Sequence, residues 1–168
     1  MNIDVRIARD FGGANVVKNL VENGLKTDDP ERTFFTFDRG ELLDHLLTHD
    51  NTAAIIGKID KELDEFSVCN PLMPIIVLDH VIPADSEKTA TNHKKIRSFV
   101  EKFGIKNFCD VGCGICHQVV IEKGLALPCS IIVGSDSHTC SYGALGAFST
   151  GIDRTEAAAL LLTGETRS

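Results

Sequence analysis

Pro74-Ile75-Ile76-Val77-Leu78-Asp79-His80 is the stretch that decides the fold. Apolar residues run from Ile75 to Leu78 without a polar break, then stop at a carboxylate and an imidazole. A strand buried on both faces reads this way, whereas a half-exposed strand alternates. Ser130-Ile131-Ile132-Val133 and Thr33-Phe34-Phe35-Thr36-Phe37 have the same make, and Phe108 to Val111 is a weaker candidate. Longer stretches with helical spacing lie between them, at 13–23, 40–48, 52–64, 86–103, 116–123 and 153–163. In 86–103, Ile96, Phe99, Val100 and Phe103 form one stripe, Lys94, Lys95, Arg97 and Lys102 face away, and Asp85 or Ser86 is placed to cap the start. Short apolar strands alternating with helices predict an α/β fold, a layered α/β/α arrangement around a mostly parallel sheet.

Composition narrows the function. The 168 residues carry 17 Lys and Arg against 24 Asp and Glu, a formal net charge of −7. That excludes the basic stripe a nucleic-acid surface needs. No apolar run approaches the roughly 18 to 20 residues of a membrane span. Met1-Asn2-Ile3-Asp4-Val5-Arg6 carries charge where a signal peptide would be apolar. The expectation is a cytoplasmic protein whose six cysteines are thiols or ligands rather than a disulfide framework.

The chain also carries a weak internal repeat. Asp4 to Asp10, a helical stretch, Pro30, an apolar run and Asp38 are echoed about forty residues later by Asp44 to Asp50, a helical stretch, Pro71, an apolar run and Asp79. Histidines replace arginines in the second copy, His49 for Arg9 and His80 for Arg39, so the second copy is the better equipped for chemistry. Residues 1–43 are therefore expected to be a duplicated or fused segment and 44–168 a partial α/β domain; the other reading is that any two α/β units look this much alike.

Four polar groups stand out. Asp79-His80 follows one predicted strand, Gly114-Ile115-Cys116-His117-Gln118 follows the weak one, and Gly134-Ser135-Asp136-Ser137-His138-Thr139 follows a third. Thr48-His49-Asp50-Asn51-Thr52 opens a helix. Open α/β sheets bind ligands at the carboxyl ends of their strands. Histidine beside carboxylate is the usual equipment for proton transfer near neutral pH. His80, His117 and His138 are expected to meet at one pocket. A non-catalytic pocket holding a carboxylate or a metal ion is the other reading of the same groups. Glycines 143, 146 and 151 follow without the spacing of a nucleotide-binding loop, so close packing explains most of them. Cys109-x-x-x-Cys113-x-x-Cys116 has the spacing of a radical S-adenosylmethionine cluster loop, but only about 50 residues follow it, too few for the barrel such a loop opens.

Taken together, the stretches 74–84, 114–118, 134–147 and 48–52 resemble the aconitase superfamily, and within it the large subunits of 3-isopropylmalate dehydratases and homoaconitases. The resemblance implies a hydro-lyase that moves a hydroxyl between neighbouring carbons of a small hydroxy di- or tricarboxylic acid. It also implies a [4Fe–4S] cluster whose open iron polarises the leaving hydroxyl. By resemblance, Asp79 and His80 protonate that hydroxyl, and His117, Asp136 and His138 line the catalytic pocket. His49, Asp50, Asn51 and Ser137 would face the substrate. The family's cluster cysteines lie downstream of the Asp-Ser-His motif, so this stretch is expected to hold no cluster ligands, and Cys109, Cys113 and Cys116 to form no ligand set. The partner implied is a small swivelling subunit or domain whose serine removes the carbon-bound proton. Without it and the cluster, the 168 residues alone are expected to be inactive.

Overall fold

The computed structural model describes residues 2–4, 34–36 and 43–164. Five strands form one all-parallel sheet: β3 (His45–Thr48), β4 (Pro74–Val77), β5 (Asn107–Cys109), β6 (Ile131–Gly134) and β7 (Phe148–Gly151), in spatial order β5-β4-β3-β6-β7. Four helices alternate with them, α1 (Thr52–Glu62), α2 (Glu87–Phe103), α3 (Cys116–Glu122) and α4 (Arg154–Thr163), with a 3-10 helix over Ser137–Leu145 between β6 and β7. A separate antiparallel pair joins β1 (Asn2–Asp4) to β2 (Phe34–Thr36).

Alternation along the buried strands builds the layers. Leu46, Ile76, Leu78 and Val133 face one side, where α1, α2 and α4 bring Ile55, Ile59, Ile96, Phe99, Leu160 and Leu161. Leu47, Ile75, Val77, Cys109 and Ile132 face the other, against Val119, Val120 and Tyr142. Each fully buried aliphatic side chain contributes roughly 1.5 to 3 kcal/mol. This is the expected α/β/α sandwich. Of the two cap candidates read from the sequence Ser86 is the one that forms, its hydroxyl accepting the Thr89 N–H, and Gly104 ends α2 in the left-handed region. Asp153 and Glu156 make a reciprocal capping box on α4.

Three expectations need correction. The helix expected over 40–48 is not there: residues 45–48 are β3, the central strand. Leu43, Leu46 and Leu47 mimic helical spacing, but Leu46 and Leu47 are buried on opposite faces because β4 and β6 pair on either side. The run at 33–37 supplies β2, which pairs with β1 and not with the main sheet. The weak strand sits earlier than 108–111, at Asn107–Cys109. β7 falls within the glycine-rich stretch, where low side-chain content hid it. The expected helix at 13–23 lies outside the described residues. In the repeat, β2 and β4 hold matching places, but β2 pairs antiparallel with β1 while β4 pairs parallel with β3.

The strand order places the topological switch between β3 and β6. The chain runs outward through β4 and β5, then returns to the other side of β3. Loops leaving the two central strands diverge there and open a crevice at their carboxyl ends.

Candidate active site

The loops after β3, β4 and β6 and the start of α3 deliver the predicted residues to this crevice. Beyond β4, His80 Nδ1 lies 2.6 Å from Asp79 Oδ1. A carboxylate only accepts, so Nδ1 carries the hydrogen and Nε2 is left to exchange a proton with a ligand. The second Asp79 oxygen accepts the backbone N–H of Cys116 at 2.6 Å, tying the β4 loop to the first turn of α3. Asp110, just after β5, accepts from Nε and Nη2 of Arg97 at 2.7 Å each. That anchors the loop that leads through Gly114, at φ +127°, into α3.

From the β3 side, Asp50 Oδ2 accepts the backbone N–H of His80 at 2.9 Å and of Asp79 at 3.1 Å, while its Oδ1 meets His93 Nε2 at 2.7 Å. Burial pushes this carboxyl up, but those three donors outweigh it and hold it below the ordinary value. His49 stacks on His80 with ring centroids 3.9 Å apart. Its Nδ1 is buried with no partner among the described residues. Asn51 bridges the crevice: its amide donates to the Ser135 carbonyl at 3.0 Å and its oxygen accepts the Ser135 hydroxyl at 2.9 Å.

The second group centres on Asp136. Its Oδ1 accepts from His117 Nε2 at 3.1 Å, His138 Nδ1 at 3.0 Å and the His138 backbone N–H at 2.6 Å. Burial raises this carboxyl, and the three donors more than reverse it. The buried Tyr142 hydroxyl lies 2.9 Å from His117 Nδ1. With Nε2–H donating to Asp136, that hydroxyl donates to Nδ1 and sets the tautomer. His138 is almost fully exposed, and Ser137 stands exposed beside it.

The predicted residues thus assemble as two adjoining groups, His49-Asp50-Asp79-His80 and His117-Asp136-His138, with ligand atoms within 4.8 Å of one another inside each. They are joined through the Asp79–Cys116 contact and the Asn51–Ser135 bridge. Asp50, Asp79 and Asp136 each accept hydrogen bonds from more than one donor, which fixes the histidines and the loop backbone around them. Sequence reasoning missed His93 and Tyr142. His93 lies three residues before Ile96 on the apolar stripe, so extending that stripe by one step finds it. Nothing local marks Tyr142.

The chain's thiols test the fit of an iron–sulfur cluster. Cys109 is buried and hydrogen-bonded by Cys113, whereas Cys116 turns to Asp79. Burial, and then donation to that carboxylate, push the Cys116 thiol up to about 12. Cubane clusters take three or four sulfurs around one centre, and among the described residues the sulfurs of Cys109, Cys113 and Cys116 do not gather into one group, so they do not fit as a ligand set.

His49 supplies a pH prediction. Burial, reinforced by the His80 charge, lowers its pKa from 6.5 to about 4. Between those values the unfolded chain binds a proton that the folded chain does not, so stability falls on acidification. From pH 7 to pH 5 the loss is about 1 to 2 kcal/mol, allowing for solvent at a partly exposed ring. The depressed carboxylates Asp50 and Asp136 lose their contribution only nearer and below their unfolded value of 3.8. Urea unfolding of His49→Gln is expected to be flatter than wild type over that interval. Equal slopes would show that the ring is not held neutral.

A parallel sheet wound outward in both directions from its switch point, with paired histidines and carboxylates at the carboxyl ends of its strands, defines an α/β protein with a polar crevice where such sheets bind ligands. Residues 2–168 match the aconitase family (aconitate hydratase), and the chain belongs to that family. It is 46% identical over 123 residues to a probable 3-isopropylmalate dehydratase large subunit of Methanothermobacter thermautotrophicus, covering 73% of this chain and 29% of the relative. It is 44% identical over 124 residues to a methanogen homoaconitase large subunit of Methanocaldococcus jannaschii, covering 74% and 29%. A 3-isopropylmalate dehydratase large subunit of Aquifex aeolicus is 43% identical over 130 residues, covering 75% and 30%. The chain thus spans about three-tenths of the length of these curated relatives. No helix among the described residues is long and apolar enough to cross a membrane.

Proposed function

We propose that this chain is the proton-delivering part of a hydro-lyase that removes water from, and returns it to, a hydroxy di- or tricarboxylic acid. The observation that carries this reading is the Asp79–His80 pair, tied through Asp79 to the N–H of Cys116, beside the His117–Asp136–His138 group that begins at the next residue. In dehydration the C–O bond breaks and the leaving hydroxyl takes the proton of His80 Nε2, departing as water. A base removes the hydrogen from the neighbouring carbon, whose electrons form the alkene. Hydration runs the same steps in reverse. Asp79 holds His80 by Nδ1 throughout. His117 and His138, gathered by Asp136, present a polar wall for the substrate's carboxylates, and Asn51 and Ser135 close its floor.

Aconitase family enzymes use a [4Fe–4S] cluster. The cluster supplies a Lewis acid at the departing oxygen, and its ligands in this reading are residues other than Cys109, Cys113 and Cys116, whose sulfurs do not gather into one group. The relatives are named as large subunits. A small subunit carrying the serine base is accordingly the partner in this reading, and alkyl- or carboxyalkyl-substituted malates are the substrates to try. The test is anaerobic hydration of alkyl-substituted maleates by the complete, cluster-loaded protein with its small subunit, followed by loss of alkene absorbance. Steady loss that depends on both subunits is expected. No loss with any such acid, in protein of full iron and sulfide content, would overturn the proposal.

A further inference from the structure

We infer that His93 is a positioning residue: from inside the helical layer it sets Asp50, and through Asp50 the backbone that aims His80. This rests on the proton-delivering role proposed for His80. His93 lies on α2, 43 residues along the chain from Asp50, and is 3% exposed. Its neighbours on the same stripe are Ile96 and Phe99, both core residues. An apolar side chain would pack on that stripe without the cost of burying an imidazole. What an apolar side chain lacks is the 2.7 Å contact from Nε2 to Asp50 Oδ1. The other oxygen of the same carboxylate receives the two consecutive N–H groups of Asp79 and His80. Asp50 is therefore a clamp with one side on α2 and the other on the turn that carries the acid.

The chain of contacts gives His93 a function that packing does not. If Asp50 loses its helical partner, its carboxylate is free to rotate toward water, and the N–H groups of 79 and 80 lose a fixed acceptor. The His80 ring then samples positions off the reacting oxygen. Misplacement of a catalytic group by about 1 Å costs on the order of 10²-fold in rate. Because substrate is held by other groups, the loss belongs in kcat and not in KM.

His93→Leu and His93→Gln in the complete cluster-loaded protein separate the two roles. Leucine fills the space and donates nothing, whereas the glutamine amide places a donor near the position of Nε2. Two readouts are taken, steady-state kinetics and amide hydrogen exchange at Asp79 and His80. Leu78, whose N–H donates to the Cys109 carbonyl at 3.0 Å within the sheet, is the internal reference. For leucine we expect kcat to fall about 10²-fold with little change in KM, and exchange to quicken at 79 and 80 but not at 78. Glutamine recovers most of both. If the leucine variant does not fold, His93→Asn replaces it, since its shorter amide falls short of Asp50. Unchanged exchange at 79 and 80, or a glutamine variant as impaired as leucine, would overturn the inference, as would exchange that quickens equally at 78. The expected exchange pattern in the variants, alongside a wild-type protein that hydrates no substrate, would instead support the positioning role and overturn the hydro-lyase reading.

Discussion

His80→Ala in the complete, cluster-loaded protein is expected to lower kcat by about 10² to 10⁴ with KM changed much less. The hydroxyl leaves as hydroxide unless a proton meets it, and positioned acid help has that typical worth. The geometry aims the proton: Nδ1 is committed to Asp79 at 2.6 Å, which leaves Nε2 to act. Asp79→Asn falls in the same direction by a smaller factor, because an amide oxygen still accepts from Nδ1 but carries no charge. If His80 only shaped the turn, removing it would cost folded protein and leave turnover per folded molecule near normal. Its ring is 43% exposed, so little packing is lost with it. Kinetics normalised to folded protein and to iron content decide between the two. A wild-type kcat in His80→Ala would move the acid to another residue.

Gly134→Ala is expected to destabilise the protein by about 1 to 3 kcal/mol through overpacking and to dislocate the Asp136 group. A Cβ on Gly134 would stand 2.2 Å from Thr139 Oγ1 and 3.1 Å from its Cβ. Thr139 is fully buried, and its hydroxyl donates to the Asp136 carbonyl at 2.7 Å, so it has nowhere to go. The strain passes into the 3-10 helix, which carries His138 and Tyr142. A double-mutant cycle identifies the cause. Thr139→Ala removes the obstructing atoms, and the double variant should be more stable than the sum of the single losses predicts by about 1 kcal/mol. Additive losses measured by urea unfolding would mean that the collision is relieved elsewhere.

The α/β class and the strand-end location of the chemistry are written locally. Ile75 to Leu78 and Ile131 to Val133 are apolar runs that end at polar loops, so Asp79-His80 and Asp136-His138 had to emerge at a strand's end wherever that strand lay in the sheet. Helix caps at Ser86 and Asp153 are equally local, since a cap bonds within its own first turn. The central strand was illegible for the opposite reason. Leu46 and Leu47 suit a helix by spacing, and only β4 and β6 on either side make extension the better state. The switch-point crevice depends on that strand. So do the contacts that make the site, between Asp50 and His93, Asp79 and the N–H of Cys116, and Asn51 and Ser135, whose partners lie 43, 37 and 84 residues apart. Short-range propensity carries no information about such pairs. They form because pairing and burial bring the ends of separate strands to one edge, where each buried polar group must find a partner.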